Sequence, residues 1–339
     1  MAGVGRSLRL AVAVSAVAVL AAGCSDDGSG DDSADRGGST TSTTVAPTTT
    51  SPSTGLIDSV CAGTAVVSDA GTVGTPAINE ASGLAASRRN PGVWWTHNDS
   101  GGPNQVFALS ASGAVLSTIT LTNAENRDWE DIAVGPPSGH GGATLYVADS
   151  GDNTVIQDPT GGRGNVRIYR LPEPEVDPGA SGAKASAKAD TLTLTYPDGP
   201  HDSEAFLVDP VDGDLIVITK DWTLRGEPSV YRASGDVADG STVVLQKVGV
   251  VPGSLGSLVT AADVSPDGSV VGIRTYEAVR LYRRPTGEPL WAAFESTPCE
   301  GPTPRPETQG EALGFAADGA SYVTVSEGSN PVLHRTAAG

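Results

Sequence analysis

EAFLVDPVDGDLIVIT, residues 204–219, contains a pattern that recurs along the chain. The segment begins with an acidic residue and continues with apolar residues. An Asp-Gly turn follows, and then a run rich in β-branched residues. Turns of this kind close β-hairpins. Related segments begin at four other places, 48 to 74 residues apart, namely at Ser82, Glu130, Thr260 and Glu311. The chain therefore contains five copies of one antiparallel unit.

Each copy continues beyond its hairpin with a third strand-like run, and the first four copies have a fourth. The fourth strands are predicted at Leu116–Leu121, Thr191–Tyr196, Val243–Val250 and Trp291–Glu295. The fifth copy stops after its third strand, and Thr64–Val67, ahead of the first copy, is the candidate for its missing strand. A ring closed in this way has few exposed sheet edges. We predict an all-β fold, a β-propeller of five four-stranded blades closed by an N-terminal strand; six blades are the alternative if Glu173–Asp190 hides another.

The composition excludes several classes of protein. The 339 residues include 43 Gly and 24 Pro, which indicates many short elements joined by turns. Asp and Glu number 40 against 21 Lys and Arg, and a formal net charge of -19 excludes nucleic-acid binding through a general basic face. Three cysteines and four histidines are too few for a zinc finger, haem or iron–sulfur cluster. We expect a monomer.

The first 54 residues predict export of the protein and its attachment to the cell membrane. Residues 1–23 combine Arg6 and Arg9 with an apolar run too short to span a bilayer, as in a signal peptide. The segment Leu20–Cys24 resembles a bacterial lipobox, which implies an acylated Cys24 and an extracytoplasmic protein anchored to the cell membrane. An ordinary secretory signal is the alternative. Residues 24–54 are mostly Ser, Thr, Asp, Gly and Pro and predict a disordered tether, which leaves residues 55–339 for the propeller.

Cys61 and Cys299 are the other two cysteines of the chain. An oxidising compartment favours a disulfide between them, which would pin the closing strand to the neighbouring blade. Two free buried thiols are the alternative.

The starts of the five first strands converge in a propeller, because the first strand of each blade lines the central channel. Ionising several neighbouring carboxylates costs free energy because their charges repel, unless a cation bridges them. Carboxylates, hydroxyls and water form a hard-oxygen set that suits Ca²⁺. We therefore predict a central calcium held by Ser82, Glu130, Glu204, Thr260 and Glu311. The alternative is that these strand starts face solvent and bind nothing.

The loops that leave the second strands should lie on the same face of the ring, because two antiparallel strands return the chain to its starting edge. Asp128 and Asp202, just before two of the first strands, join this face. The candidate substrate-binding residues are Lys220, Arg274, Asp99, Asp152 and Tyr276, and the candidate catalytic residues are His97, Asp131 and Asp149. Such a set can grip a phosphate and activate water. For Asp99, Asp149 and Asp152 the alternative is that they only form turns.

The order Ser, Glu, Glu, hydroxyl, Glu at these strand starts resembles that of the calcium-activated nucleotidases, or apyrases. The resemblance covers residues 61–339, and its specific part is Trp129–Asp131, Glu204–Ala205 and Gly310–Glu311, with Thr260 where the family has serine. It implies a five-bladed propeller with a central calcium and phosphate-ester hydrolysis. Exported bacterial propellers described as phytase-like or esterase-like are also similar. The competing expectation is a non-enzymatic propeller in which calcium is structural and a small molecule, glycan or protein is bound.

Overall fold

The computed structural model describes residues 51–339, apart from 139–140, 159, 225, 253–257, 303–306 and 308. The predicted signal peptide (1–23), the lipidation site Cys24 and most of the predicted tether (24–54) lie outside the described residues. Within the described part, no helix is long and apolar enough to cross a membrane.

Short strands make up nearly all of the regular structure. The strands are β1 (Val66–Thr72), β2 (Ala81–Ala86), β3 (Val93–Asn98), β4 (Gln105–Ser110), β5 (Val115–Thr122), β6 (Trp129–Gly135), β7 (Thr144–Asp149), β8 (Val166–Pro172), β9 (Ala183–Lys188), β10 (Asp190–Thr195), β11 (Ser203–Val208), β12 (Leu215–Thr219), β13 (Ser229–Ala233), β14 (Thr242–Val244), β15 (Gln246–Val250), β16 (Val259–Val264), β17 (Val270–Thr275), β18 (Val279–Arg283), β19 (Cys299–Glu300), β20 (Gly310–Phe315), β21 (Ser321–Ser326) and β22 (Val332–Ala337). The helices are α1 (Pro52–Cys61), α2 (Thr154–Gln157) and a 3-10 helix at Leu290–Glu295.

The strands form five sheets that surround one axis as blades. From the inside outward, the four antiparallel strands of each blade are β2-β3-β4-β5, β6-β7-β8-β10, β11-β12-β13-β15, β16-β17-β18-β19 and β20-β21-β22-β1. Each inner strand contacts the inner strands of both neighbouring blades, and β20 of blade five contacts β2 of blade one. The five-bladed β-propeller expected from the repeats is therefore confirmed.

The alternative of a sixth blade is wrong, because the segment that was its candidate contributes only an edge strand. Strand β9 pairs in parallel with β5, at the outer edge of blade one. Strand β14 pairs in parallel with β10 and extends blade two in the same way. Each of these strands covers an outer edge that would otherwise expose unpaired backbone groups.

Two of the four predicted fourth strands differ from the structure. The run Val243–Val250 is divided at the buried Leu245, so that β14 extends blade two while β15 completes blade three. The run Trp291–Glu295 is helical, and its Phe294 packs edge-on against Tyr282 with ring centroids 5.2 Å apart. Blade four is completed instead by the two-residue strand β19.

The ring is closed by β1, which begins two residues later than predicted and pairs antiparallel with β22 from Val66↔Ala337 to Thr72↔Val332. Helix α1 precedes it and includes residues 52–54, which the sequence had assigned to the tether. The Ser51 Oγ accepts a hydrogen bond from the Thr54 backbone N–H at 3.3 Å, and Pro52 stands at the first helical position. Both features favour a helix start.

Helix α1 covers the seam between blades four and five. Its Leu56, Ile57 and Val60 are buried against residues of both blades, including Val279 and Phe315. At the end of the helix, the sulfurs of Cys61 and Cys299 are bonded to each other, with the Cα atoms 5.0 Å apart. The bond therefore ties α1, rather than the closing strand itself, to the outer strand of blade four.

The hydrophobic core is divided among the seams between neighbouring blades. Trp95 and Trp129 belong to the cluster between blades one and two. Tyr146 and Phe206 meet between blades two and three with ring centroids 6.2 Å apart. Because the apolar side chains fill the seams, the channel end at which the inner strands begin is left to polar groups. We call this end the start face.

Candidate functional site

Every inner strand carries a β-bulge near its start. The register skips one residue in each of the five strands, namely Gly83, Glu130, Glu204, Thr260 and Glu311. A bulge leaves its extra residue unpaired and re-aims the side chain, and bulges are frequent next to active sites. Four of the five predicted calcium ligands occupy this register. Ser82 does not, because it precedes the bulge by one residue.

Blade one has a glycine in the bulge because its backbone lies close to blade two. Gly83 has a φ of 68°, and a Cβ atom there would lie 2.8 Å from the Ile132 backbone nitrogen. The two predicted hydroxyl ligands link neighbouring blades: Ser82 Oγ donates to the Glu130 carbonyl at 2.6 Å, and Thr260 Oγ1 donates to the Gly310 carbonyl at 2.8 Å. Both hydroxyl protons are therefore used in holding the ring together.

Loops after the second strands reach the start face, as the hairpin geometry predicted. The Asp99 backbone N–H donates to the Glu80 carbonyl at 2.9 Å, and the Lys220 backbone N–H donates to the Asp202 carbonyl at 2.9 Å. These contacts place side chains from the loops beside the bulged residues of the inner strands.

Carboxylates from three blades meet on the start face. They form two groups of three, within each of which one oxygen per residue lies within 4.8 Å of the others. One group is Asp99, Asp128 and Glu130, and the other is Glu130, Asp202 and Glu204. We call these five residues the acidic cluster. Glu130 belongs to both groups and is therefore its centre.

Two members of the acidic cluster are buried without a hydrogen-bond donor. Glu130 is 5% exposed and Asp128 8% exposed, and no described residue donates to either carboxylate. Burial, followed by the charge of Glu204, raises the pKa of Glu130 well above its usual range. Burial, followed by the charge of Asp99, raises the pKa of Asp128 to about 7. Buried carboxylates normally have hydrogen-bond partners, so these two depend on a proton, a cation or solvent to satisfy their oxygens.

Gly151 makes room for this arrangement. A Cβ atom at residue 151 would lie 1.9 Å from Glu130 Oε1 and 2.7 Å from the Asp128 carboxyl carbon. The convergence of the two carboxylates therefore depends on the missing side chain.

Lys220 is the ammonium group that faces the second group of carboxylates. Its Nζ donates to Glu204 and, at 2.7 Å, to the Tyr276 hydroxyl. The same Nζ lies 4.4 Å from the ring centroid of Trp222 and 4.6 Å from that of Tyr276. Burial by itself would lower the pKa of Lys220, but the adjoining Glu204 carboxylate raises it overall. Lys220 is therefore a charged residue fixed between two aromatic rings.

Asp202 is held by donors on both of its oxygens, unlike Asp128 and Glu130. Oδ1 accepts from the Asp152 backbone N–H at 2.8 Å, and Oδ2 accepts from the indole of Trp222. Asp152, a predicted substrate contact, is itself buried and accepts from the Arg163 backbone N–H. Asp152 therefore helps to position Asp202 of the acidic cluster through its backbone N–H.

Glu311, the third predicted carboxylate ligand, stands apart from both groups. Its Oε1 accepts from Gln309 Nε2 at 3.2 Å. Burial raises the pKa of Glu311 to about 7, against the opposing effect of Lys220. Of the three predicted carboxylates, Glu130 and Glu204 share one group, whereas Glu311 belongs to neither group but contributes to the raised pKa of Glu204 through its charge.

Two of the three candidate catalytic residues are fully enclosed in the ring. His97 packs edge-on against Trp129, its Nδ1 lies 2.9 Å from the Asn98 carbonyl, and burial lowers its pKa to about 4. The Asp131 Oδ2 accepts from the backbone N–H groups of Phe206 at 2.9 Å and Ala262 at 3.1 Å. Asp131 thus connects blades two, three and four and has no exposed surface.

The third candidate, Asp149, forms a buried ion pair that sequence reasoning missed. Its Oδ1 accepts from Arg163 Nη1 at 2.8 Å and from the Asp128 backbone N–H at 3.1 Å. Arg163 lies in the irregular segment between α2 and β8, so neither strand periodicity nor repeat position identified it. The pair fixes the backbone that carries Asp128.

Arg274, a predicted substrate contact, is enclosed between blades four and five. Its side chain is 0% exposed and pairs with Glu307, whose Oε1 accepts from Thr324 Oγ1 at 2.9 Å. A Cβ atom at residue 310 would overlap the guanidinium, at 1.7 Å from Nη2. In this arrangement Arg274 presents no atom to a ligand on the start face.

A groove of about 540 Å³ lies between blades five and one, away from the start face. Its lining is mostly apolar and includes Trp94 and Val323. Its charged residues have partners within the protein: Asp69 lies 3.0 Å from His334 Nδ1, and Arg335 Nε donates to Ser321 Oγ at 2.9 Å. The acidic cluster is therefore the stronger candidate site.

Comparisons with known proteins give only distant similarities. No protein-family model and no curated protein sequence matches the chain. Among solved structures, it is similar to Chaetomium thermophilum Raptor, with 13% identity and a TM-score of 0.35 over 76% of this chain and 20% of that chain. It is also similar to the apo form of the soluble aldose sugar dehydrogenase from Escherichia coli, with 10% identity and a TM-score of 0.44 over 81% of this chain and 100% of that chain. The chain thus spans about a fifth of Raptor.

The buried acids predict an unusual dependence of stability on pH. Because the folded pKa values of Glu130, Asp128 and Glu311 lie above their unfolded values, the folded state binds more protons between about pH 4 and pH 7. Stability then falls as pH rises through that window. In chelator we expect the melting temperature of residues 25–339 to be higher at pH 5 than at pH 8, and excess Ca²⁺ to restore it at pH 8.

The control for this pH prediction is Glu130→Gln, which removes one of the titrating groups and should flatten the dependence. Equal melting temperatures of the wild type at pH 5 and pH 8 in chelator would contradict the raised pKa values.

Proposed function

We propose that the chain is an exported, lipid-anchored phosphate-ester hydrolase whose acidic cluster binds Ca²⁺. The observation that carries this proposal is the pair of buried carboxylates, Glu130 and Asp128, that receive no hydrogen bond from the described residues. Of the ligands predicted from sequence we keep Glu130, and we assign the ion to Glu130, Asp128 and Asp99, which lie together. The anchor at Cys24 rests on the sequence alone.

The donor set fits Ca²⁺ in its chemistry. Carboxylate oxygens are hard ligands, which calcium and magnesium prefer over imidazole or thiolate. His97, a nearby imidazole, is buried with its Nδ1 against a backbone carbonyl. A bound Ca²⁺ would offset the charge of a phosphate group and polarise its P–O bonds.

A side chain of the protein would accept the proton that the attacking water loses. Glu311, with a pKa of about 7, is suited to take a proton from water near neutral pH. Water adds its oxygen to phosphorus, the bond from phosphorus to the alcohol oxygen breaks, and the alcohol oxygen takes a proton from solvent. Lys220 would offset part of the negative charge at the site.

A second candidate is a non-enzymatic binding module in which calcium only rigidifies the ring. Two observations favour it: Arg274 is enclosed, and Lys220 is already bonded to Glu204, so few cationic groups are left to attract a polyanion. The half-buried rings of Trp222 and Tyr276 beside the acidic cluster offer flat surfaces for a glycan.

The deciding experiment is phosphate release by residues 25–339 from a panel of nucleotides, phytate and simple phosphate esters. We expect release that requires Ca²⁺, falls at least about 100-fold in Glu130→Gln, and is unchanged in the exposed control Glu175→Gln. The Glu311→Gln variant should release phosphate much more slowly than the wild type but should still bind Ca²⁺. No release from a wild type that binds Ca²⁺ would favour the binding module instead.

A further inference from the structure

We propose that Lys220 fills the second cation position of a two-cation centre, so that the wild type takes one divalent ion and Lys220 supplies the other positive charge. This inference rests on the proposed cation site of the preceding section. It assigns a role to Lys220 other than the anion contact expected from sequence, and it predicts a latent metal site beneath its ammonium group.

The two groups of the acidic cluster are geometrically similar but differ in their partners. Each brings three carboxylate oxygens within 4.8 Å of one another, and Glu130, with two oxygens, belongs to both. In the group that contains Asp202, the Lys220 ammonium is bonded to Glu204. In the group that contains Asp128, no described cationic side chain bonds to a carboxylate.

In the Asp128 group, Asp99 accepts from the Ser100 backbone N–H, whereas the carboxylates of Asp128 and Glu130 accept from no described residue, and a general shortage of donors does not explain this. Asp131 accepts from the backbone of Phe206 and Ala262, and Asp263 accepts from the Phe315 backbone N–H at 2.7 Å. The backbone of Asp128 is held too, since its N–H donates to Asp149 Oδ1 at 3.1 Å. Its carboxylate, on a residue that is 8% exposed, accepts no hydrogen bond from the described residues and has an oxygen within 4.8 Å of oxygens of Glu130 and Asp99. This marks the Asp128 group as the position for the free ion.

The Lys220 ammonium is held in place by two aromatic rings and a hydrogen bond. Trp222 and Tyr276 enclose its ammonium at 4.4 and 4.6 Å, and the Tyr276 hydroxyl accepts its hydrogen bond at 2.7 Å. Trp222 is positioned in turn by its indole bond to Asp202. An ammonium held this way is a fixed positive charge bonded to Glu204, whose group shares Glu130 with the neighbouring group. Two cation positions joined by a shared carboxylate are the arrangement of a paired metal centre, here with one ion replaced by the ammonium.

Charge explains why one position has a lysine. Two divalent ions would require every nearby carboxylate to be ionised, whereas one ion and one ammonium leave the site less dependent on cation concentration. A ligand phosphate would then meet a divalent ion at the Asp128 group and an ammonium at Glu204. The centre is therefore suited to a phosphoryl group that bridges two positive charges.

The test is the number of divalent ions bound per chain, measured on the full exported chain by equilibrium dialysis with Ca²⁺ and by electron paramagnetic resonance with Mn²⁺. We expect one ion for the wild type and two for Lys220→Met, whose side chain keeps the length of lysine without its charge. Bound Mn²⁺ should give an isolated six-line signal in the wild type and a spin-coupled signal in Lys220→Met. Lys220→Met combined with Asp202→Asn should return to one ion.

The outcomes separate this inference from the proposed function. A wild type that binds no ion overturns both. One ion in the wild type and still one in a folded Lys220→Met, or two ions already in the wild type, overturns the role of Lys220 and leaves the proposed function standing. Lys220→Arg, which keeps the charge, should bind one ion like the wild type and serves as the matched control.

Discussion

Asp131→Ala is expected to lower the free energy of unfolding by about 3–5 kcal/mol, the cost of breaking a buried polar network. The Asp131 carboxylate accepts from the backbone N–H groups of Phe206, Ala262 and, through Oδ1 at 2.9 Å, Ile132. Alanine would leave these buried donors without an acceptor at the junction of three blades. Thermal melts should show the midpoint lower by roughly 10 °C.

The control for this stability prediction is Asp177→Ala, which removes an exposed carboxylate that accepts from the nearby Gly179 N–H. It should change the free energy of unfolding by less than about 1 kcal/mol. Asp131→Asn keeps one carbonyl acceptor and should fall between the two. A melt of Asp131→Ala that coincides with that of the wild type would show that Asp131 does not hold the blades together.

Removing the disulfide with Cys61→Ser and Cys299→Ser is expected to cost about 4–5 kcal/mol, because the bond closes a loop across a sequence separation of 238. The loss should appear first where the ring closes. Without the bond, the N-terminal segment is held by noncovalent contacts, chiefly the buried face of α1, the pairing of β1 with β22 and the ion pair of Asp58 with Arg283. Hydrogen exchange should accelerate in β1 and β22 before it does in the inner strands.

Reductant provides the control for the disulfide prediction. It should lower the melting temperature of the wild type toward that of the double serine variant and leave the variant unchanged. If the double variant melts within about 1 °C of the oxidised wild type, the closure of the ring does not depend on this bond.

The site differs from its sequence prediction mainly through register. Ser82 was aligned with Glu130 because both open an apolar run, but the bulge in blade one falls on Gly83. Repeats in a sequence locate a strand to within a residue or two, whereas a bulge changes which side chain faces the axis within a single residue. At Trp291–Glu295 the prediction is wrong for another reason, because the periodicity of so short an apolar run does not distinguish a helix from a strand.

The partners of the charged residues were beyond the sequence for a different reason. Nothing local distinguishes Lys220, bonded to Glu204 on the start face, from Arg274, sealed against Glu307 between two blades. Arg163 reaches Asp149 from an irregular segment that follows no repeat. Such pairings depend on which blades meet and on the space between them.

The sequence by itself determined the five repeats, the order of the first three strands in each blade and the need for a closing N-terminal strand, because hairpin turns and alternating apolar runs are local features. Only the tertiary structure decided which carboxylates lie together, and that Glu130 and Asp128 are left without donors while Asp131 and Asp202 are satisfied. The physical reason is that burial and hydrogen bonding are properties of the assembled ring. Each acidic residue owes its charge state to neighbours on other blades, far away along the chain.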